Sequence, residues 1–198
     1  MDTQQLIQRV LSNIFIPLEA SGRHAHITEA QAQVLFGHKL TPKRPLSQPG
    51  QFLANERVTV IGPKGEFQNV AVLGPEREEG QVEISLTDGK TLGIQPPVRL
   101  SGNISGSPGC RLEGPMGRIT LTEGVICAKR HIHMAPEDAE RFGLKDGDAV
   151  QLQTYTGRAV RFDDTVVRVS PKFATFAHLD YDEANACGFV QGDLGRPV

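Results

Sequence analysis

The sequence has no tryptophan, two tyrosines and only three cysteines in 198 residues. The cysteines, Cys110, Cys127 and Cys187, are odd in number and lack C-x-x-C spacing, which argues against a disulfide framework and against a thiolate zinc site. A reducing compartment is the simplest inference. No run approaches the roughly 20 apolar residues that span a bilayer, and the N-terminus lacks a signal layout. We therefore expect a soluble protein that is not exported.

Charge of one sign is also lacking, because 21 basic residues face 23 acidic ones and the formal charge is -2. Such a balance gives no surplus that would recruit nucleic acid or an anionic membrane, so neither is predicted as a partner. What the chain does have is 21 glycines and 13 prolines, which indicate many turns between short elements. This composition favours a β or mixed α+β fold, in one domain or two small ones.

Four of the six histidines stand in two matched His-x-His pairs, His24 with His26 and His131 with His133, and an arginine precedes each pair. Because side chains alternate along a strand, both imidazoles of a pair face the same side. A single pair of this kind is more often a half-exposed polar pair than a metal site. The repetition reverses that judgement and predicts two metals, or one metal shared between two halves.

An internal repeat supplies a third ligand for each pair. Glu83 lies ten residues before Gly93, and His178 lies ten residues before Gly188. The repeat therefore equates Glu83 with His178, and each half offers three ligands with an open position, as in catalytic zinc sites. The predicted ligand sets are His24, His26 and Glu83 in one half and His131, His133 and His178 in the other.

The pattern of apolar residues predicts short elements around these motifs. Residues 2 to 12 form an amphipathic helix with a stripe of Leu6, Ile7, Val10 and Leu11, and residues 13 to 20 form an edge strand. Thr28 caps a helix that ends at Gly37, residues 40 to 50 are a connection, and residues 81 to 86 are one alternating strand. The predicted segments are the helix 1–12, a first half 13–95, a connection with strands 96–127 and a second half 128–198.

The sequence resembles the phosphate propanoyltransferases, which are phosphotransacylases of the propanediol-utilisation type found in bacterial microcompartments. The resemblance implies two small β-barrels with short helices, related by a pseudo-twofold, and two zinc ions per chain on the same six ligands. The matching motifs run in the family's order and are Ser21-Gly22-Arg23-His24-Ala25-His26, Leu46 to Phe52, Leu73-Gly74-Pro75-Glu76-Arg77, Gln81 to Ser85, Pro96 to Gly102 and Arg130-His131-Ile132-His133-Met134.

The same resemblance implies roles for residues that spacing alone does not identify. Arg77 becomes the catalytic, phosphate-contacting arginine and Arg168 a second basic residue of the pocket. Ser21 and the segment from Pro97 to Gly102, with Arg99 and Ser101, are implied near the thiol end of coenzyme A. The sequence departs from the family in having Gly22 where asparagine is common and in its short N-terminal helix.

The predicted function is reversible transfer of a short acyl group, propanoyl or acetyl, between coenzyme A and inorganic phosphate. Two other interpretations remain open, a dinuclear zinc hydrolase and a non-catalytic, zinc-stabilised β-barrel binding module. The resemblance further implies a homodimer in the cytoplasm or inside a bacterial microcompartment. The N-terminal helix then either packs on the first half, which its short link favours, or docks on shell or core proteins.

Overall fold

The computed structural model describes residues 2–198, apart from the side chains of Leu6, Gln8 and Arg9. Strands dominate and the helices are short, so the predicted fold class is confirmed. The helices are α1 (Thr3–Ser12), α2 (Glu29–Phe36), α3 (Leu86–Leu92), α4 (Pro136–Phe142) and α5 (Tyr181–Cys187). The strands are β1 (Ile16–Ser21), β2 (His24–His26), β3 (Pro42–Pro45), β4 (Phe52–Ile61), β5 (Glu66–Gly74), β6 (Gln81–Glu83), β7 (Val98–Arg99), β8 (Cys110–Glu113), β9 (Arg118–Leu121), β10 (Val125–Ala128), β11 (His131–Met134), β12 (Ala149–Tyr155), β13 (Arg161–Val169), β14 (Phe176–Asp180) and β15 (Leu194–Pro197).

The chain forms two compact units. The barrel unit combines the chain up to Ser21 with Arg130–Val198, and the curled-sheet unit spans Gly22–Lys129. In the barrel unit six strands close in the order β1-β14-β11-β13-β12-β15. In the curled-sheet unit the order is β7-β10-β6-β2-β5-β4-β8-β9, and β3 pairs with β4. Both units are barrel-like, as the sequence predicts.

The strand that precedes each histidine pair belongs to the unit that does not hold that pair. β1 runs towards His24, yet it pairs with β14 and β15 in the barrel unit. β10 runs towards His131, yet it pairs with β6 and β7 in the curled-sheet unit. The compact units therefore divide the chain at Ser21 and Lys129, whereas the predicted segments place residues 13–95 together.

The prediction that residues 13 to 20 form an edge strand is wrong. β1 has a neighbour on each side, because a closed barrel has no edges. Pro17 is tolerated since it stands second in the strand, where its missing N–H removes little from the ladder, and the next residue, Leu18, donates its N–H to the carbonyl of Asp193.

Each histidine pair brackets a residue that is buried in the core of its own unit. Ala25 lies with Val72 and Val82 in the core of the curled-sheet unit, and Ile132 lies with Leu152 in the core of the barrel unit. Because side chains alternate along a strand, the flanking histidines face away from the hydrophobic cluster. The core thus fixes which face of β2 and β11 presents imidazoles.

The stretch after β6 is a helix, and the predicted six-residue strand is wrong beyond Glu83. Ser85 caps α3 by accepting a hydrogen bond from the Asp88 N–H at 3.1 Å. Leu86, expected on the apolar face of a strand, is 48% exposed at the start of that helix. The capping box outweighs the alternating pattern because it satisfies backbone donors at the helix end.

Two other elements differ in part from the prediction. The predicted connection from residue 40 to 50 contains β3, which pairs with β4 and is exposed throughout. The N-terminal helix is confirmed, with Asp2 as its cap. However, Ile7 is 51% and Val10 is 50% exposed, so the expected burial of the apolar stripe on the first half is wrong at these two residues. Leu6, a third member of the stripe, lies outside the described side chains.

Within residues 2–198, no helix combines the length and the apolar character that are needed to cross a membrane.

Candidate metal and substrate site

The first cluster of potential metal ligands lies in the curled-sheet unit, where β2 pairs antiparallel with β6. The register sets His24 opposite Glu83. His24 Nε2 lies 3.1 Å from His26 Nε2, and Glu83 Oε2 lies 3.6 Å from His24 Nε2. The other carboxylate oxygen, Glu83 Oε1, lies 3.9 Å from His26 Nε2. All three side chains are buried, so few waters compete for these donor atoms.

The two imidazoles of this cluster are each held by their surroundings. Burial, His24 and the positive charge of Arg77 together hold the pKa of His26 well below its ordinary value. His24 Nδ1 lies 2.8 Å from the carbonyl oxygen of Gly22, so its ring N–H donates there and Nε2 keeps its lone pair for the cluster. Gly22 departs from the family pattern, but its contribution comes from the backbone and does not depend on a side chain.

The second cluster lies in the barrel unit and is built in the same way. β11 pairs antiparallel with β14, which sets His131 opposite His178. His133 Nδ1 lies 3.2 Å from His178 Nε2. Burial, followed by His131 and Arg168, lowers the pKa of His133 to about 3. His133 is therefore neutral near pH 7.

The structural equivalence of Glu83 and His178 is confirmed by these registers, since each faces the first histidine of its pair. The strands behind each pair agree as well, because β2 runs parallel to β5 and β11 runs parallel to β13. The role of the six residues as metal ligands remains a prediction.

The arginine before each histidine pair also has an equivalent position. Arg23 donates two hydrogen bonds to Asp88, at 3.1 and 2.7 Å, in the first turn of α3. Arg130 donates to Glu183 at 2.6 Å, in the first turn of α5. Both arginines therefore anchor the strand that carries the pair to the helix that follows the third ligand. Their repetition reflects this support of the site.

The donor sets fit zinc. In each cluster the three potential ligand atoms lie within 4.8 Å of one another. Zinc binds imidazole nitrogen and carboxylate oxygen at about 2.0–2.2 Å in tetrahedral geometry, which sets two ligands of one ion about 3.3 Å apart. The separations of 3.1 and 3.6 Å in the first cluster and 3.2 Å in the second lie close to that value. Three protein donors leave one tetrahedral position for a substrate.

Arg77 lines two adjoining cavities of the curled-sheet unit. One, of about 300 Å³, is also lined by His26 and Gln51. The other, of about 560 Å³, is also lined by Gln81 and Gly102. A guanidinium at this place can donate two parallel hydrogen bonds to an oxyanion. The structure thus brings Arg77 to the same cavity as a predicted metal ligand.

Known proteins that are similar to this chain support the family that its motifs indicate. A family model described as phosphate propanoyltransferase matches residues 17–190. Proteins named phosphate propanoyltransferase are similar in sequence. The one from Enterococcus faecalis is 52% identical over 96% of this chain and 90% of its own length. The one from Clostridioides difficile is 48% identical over 98% and 94%. The one from Thermotoga maritima is 51% identical over 88% and 84%.

The chain belongs to the phosphate propanoyltransferase family. It is accordingly an enzyme of the acyltransferase class. Membership covers nearly the whole chain, so it includes both histidine clusters and Arg77. The interpretation as a non-catalytic binding module is therefore not supported, and a transferase is favoured over a hydrolase.

The residues predicted to serve coenzyme A lie in separate units. Ser21 is the last residue of β1 in the barrel unit, opposite Asp180. Arg99 belongs to the curled-sheet unit, where it donates to the Ser105 carbonyl at 2.5 Å. Ser101 lies in the same unit and accepts a hydrogen bond from Arg77 Nη1 at 3.1 Å. The roles of Ser21, Arg99 and Ser101 remain predictions.

Arg168 is placed beside the second cluster. It stands opposite His133 in the register of β13 with β11. Its guanidinium carbon lies 5.7 Å from the centre of the Phe173 ring, at the distance of a cation–π contact. Its charge also lowers the pKa of His133. Arg168 thus contributes positive charge next to the imidazoles of the second cluster.

Two residues that the sequence does not single out contact Glu83 and His178. Gln81 Nε2 donates to Glu83 Oε1 at 2.6 Å. Its signal was its position two residues before Glu83, which puts both on one face of a strand. Glu19 Oε2 lies 3.4 Å from His178 Nδ1. Glu19 gave no signal because β1 was expected in the other half.

Proposed function

We propose that this enzyme reversibly transfers a short acyl group between coenzyme A and inorganic phosphate, with zinc held by both histidine clusters. The observation that carries the proposal is the first cluster, in which two imidazoles and Glu83 converge while Arg77 shares a cavity with His26. An ion and a guanidinium on one cavity suit a substrate that is a small oxyanion. Inorganic phosphate is such a substrate.

The reaction requires no side-chain nucleophile. A phosphate oxygen attacks the thioester carbonyl carbon, the carbon–sulfur bond breaks, and the products are acyl phosphate and the thiolate of coenzyme A. The cysteines do not offer a competing route, since Cys110, Cys127 and Cys187 are all buried and burial raises the pKa of Cys110 to about 12. Bound zinc would supply positive charge to polarise the carbonyl and to stabilise a leaving thiolate.

The residues themselves contribute by binding and orientation. Arg77 donates to phosphate and keeps its own direction through Ser101 Oγ. Its backbone N–H is fixed as well, because it donates to the Ile27 carbonyl at 2.9 Å. Holding phosphate in one orientation converts a bimolecular attack into a nearly unimolecular one, which lowers the entropic part of the barrier. We infer that positioning and charge supply most of the catalysis.

A phosphate-dependent thiol assay tests the proposal directly. Propanoyl-CoA and acetyl-CoA are each mixed with the enzyme with and without phosphate, while free thiol and acyl phosphate are quantified. We expect equal amounts of thiol and acyl phosphate, and thiol release only when phosphate is present. Equal thiol release without phosphate would indicate a hydrolase. The two acyl groups differ by one methylene, so their selectivity should stay within about 1–3 kcal/mol.

Replacing Arg77 with alanine is expected to raise the KM for phosphate about 10- to 100-fold, while the KM for acyl-CoA changes little. The reason is the loss of charge-assisted hydrogen bonds worth roughly 1.5–3 kcal/mol. Initial rates at varied phosphate measure the effect. Arg118→Ala, an exposed arginine of the same unit, is the control and should leave both constants unchanged. Normal phosphate saturation of R77A would remove Arg77 from the site.

We also propose that the enzyme is a homodimer and that α1 serves as a docking helix for microcompartment shell or core proteins. The half-exposed Ile7 and Val10 support the second part, because a stripe that packed on its own domain would be covered. Cross-linking and sedimentation of the intact chain would establish the number of copies.

Deleting residues 2–12 is expected to lower the melting temperature by less than about 4 °C, because Ile7 and Val10 are about half exposed and a change below about 1 kcal/mol has about that effect in a domain of this size. Thermal unfolding of the shortened and intact chains measures it, and turnover should be retained. The double variant I7S/V10S is the matched control, since it keeps the helix and removes the two exposed members of the stripe. A fall of more than about 10 °C would mean that the helix supports the barrel unit.

A further inference from the structure

Gln81 is almost fully buried, at 2% exposure, and both polar atoms of its side chain form hydrogen bonds. Its Nε2 donates to Glu83 Oε1 at 2.6 Å and to Ser101 Oγ at 2.9 Å. Its Oε1 accepts from the Gly102 N–H at 2.8 Å. One amide therefore connects a predicted metal ligand to the turn that carries Ser101.

The orientation of this amide is determined by its partners. The Gly102 backbone N–H can only donate, so it must face the amide oxygen of Gln81. The Glu83 carboxylate, when ionised, can only accept, so it must face the amide nitrogen. A flipped amide would place two donors together and two acceptors together. Gln81 therefore holds Glu83 Oε1, while Glu83 Oε2 lies 3.6 Å from His24 Nε2.

Ser101 is oriented by the same amide. Its Oγ accepts from Gln81 Nε2 and from Arg77 Nη1, and neither nitrogen can act as an acceptor. Both lone pairs of the hydroxyl are then occupied, so its proton is left to be donated. Arg77, Gln81 and Gly102 all line the cavity of about 560 Å³. The Ser101 hydroxyl is thus held in one orientation between Arg77 and Gln81.

We propose that Gln81 is a positioning residue that couples the metal site to the phosphate-binding groups. It fixes Glu83 on one side and Ser101, with Arg77 behind it, on the other. The inference rests on the proposed function, because it assumes that Glu83 binds zinc and that Arg77 binds phosphate. The buried amide of Gln81 thereby controls both zinc affinity and phosphate affinity, without contacting the reacting atoms.

Removal of the amide has two consequences. Glu83 loses the donor that fixes its carboxylate, and residues that orient metal ligands typically contribute 10- to 100-fold in affinity. The turn at Ser101 and Gly102 loses its anchor, so the groups around Arg77 are no longer held in one arrangement. The zinc affinity of one cluster and the KM for phosphate should therefore change together, whereas the KM for acyl-CoA should not.

The test is Gln81→Met, which keeps an unbranched chain of similar length and removes the amide. Zinc affinity of the substrate-free protein is measured by competition with a chelator, and both KM values are measured with zinc in excess. The expected result is one zinc bound about 10- to 100-fold more weakly, one bound as before, and a rise in the KM for phosphate alone. Unchanged zinc affinity, or an equal rise in both KM values, would overturn the proposal.

Gln68→Met is the matched control. Gln68 also lies on a strand of the curled-sheet unit and donates to a glutamate two residues away, Glu66, at 2.9 Å, but the pair is exposed. This variant should keep zinc affinity and both KM values. If Gln81→Met does not fold, as judged by its thermal unfolding, Gln81→Asn replaces it, because the shorter amide cannot span Glu83 and Ser101. The same outcomes then apply.

The experiment separates failure of the inference from failure of the proposed function. If the unaltered enzyme binds no transition metal, the proposed function is contradicted before any variant is measured. If the unaltered enzyme binds two zinc ions and Gln81→Met binds both equally well, only the role of Gln81 is overturned.

Discussion

Replacing Glu83 with alanine is expected to reduce turnover at least about 100-fold and to lower bound zinc from about two ions per chain to about one, because a ligand contributes at least as much as the residues that orient it. The carboxylate is buried opposite His24 and lies within reach of both imidazoles of its cluster. It is the only member of the six predicted ligands that brings a formal negative charge. Its loss leaves only two imidazoles, which form a poor site for a divalent ion.

Elemental analysis of dialysed protein and steady-state turnover with saturating phosphate measure the two effects of E83A. Glu83→Gln is a second variant, because it keeps the size of the side chain and removes its charge. The control is Glu66→Ala, an exposed glutamate of the same unit, which should retain zinc and turnover. Near-normal turnover of E83A with zinc still at two per chain would show that Glu83 is not a ligand.

Replacing His178 with alanine is expected to have a similar effect on the cluster of the barrel unit. His178 Nε2 lies 3.2 Å from His133 Nδ1, while its other ring nitrogen lies 3.4 Å from Glu19 Oε2. This arrangement directs Nδ1–H towards a carboxylate and Nε2 towards the cluster, as is usual for histidines that bind zinc. H178A should lose about one zinc and at least about 100-fold in turnover.

The control for H178A is His38→Ala. His38 is the one histidine in the described chain outside the two clusters, and its side chain is exposed. It should be replaced without loss of zinc or turnover. Measuring both variants at equal protein concentration, with their thermal unfolding, distinguishes loss of a ligand from loss of the fold. If H178A and H38A behaved alike, the equivalence of Glu83 and His178 would be structural only.

The grouping of the six predicted ligands could be inferred from sequence because two members of each group are close together along the chain. Alternation along a strand puts His24 and His26 on one face, whatever the strand pairs with. The third member of each group follows from the repeat, since Glu83 and His178 precede helices of the same length that end at Gly93 and Gly188. Equal spacing to a left-handed glycine preserves the register between strand and helix.

The partners of β1 and β10 could not be predicted, because strand pairing is decided by contacts distant in sequence. After each of these strands, the chain passes into the other compact unit within two or three residues of the histidine pair. Nothing in the pattern from Ile16 to Ser21 distinguishes pairing with β14 from pairing with a nearby strand. For this reason the contact of Glu19 with His178 had no signal in the sequence.

The end of β6 shows a different limit. Residues 81 to 86 alternate well enough to predict a strand, but Ser85 and Asp88 form a capping box that begins α3. The sequence contains both signals, and the capping box decides the structure after Glu83. The role of Gln81 could not be predicted from the sequence, because its partners Ser101 and Gly102 lie about twenty residues away along the chain.

The most direct test of the account is a zinc titration of the metal-stripped enzyme, followed by phosphate-dependent release of thiol from propanoyl-CoA. We expect no release without zinc, a rise with added zinc and a plateau at about two ions per chain, since each cluster offers three predicted protein ligands. Each added zinc should increase thiol and acyl phosphate in equal amounts. Full phosphate-dependent activity in the stripped enzyme, with no metal detected, would contradict the account.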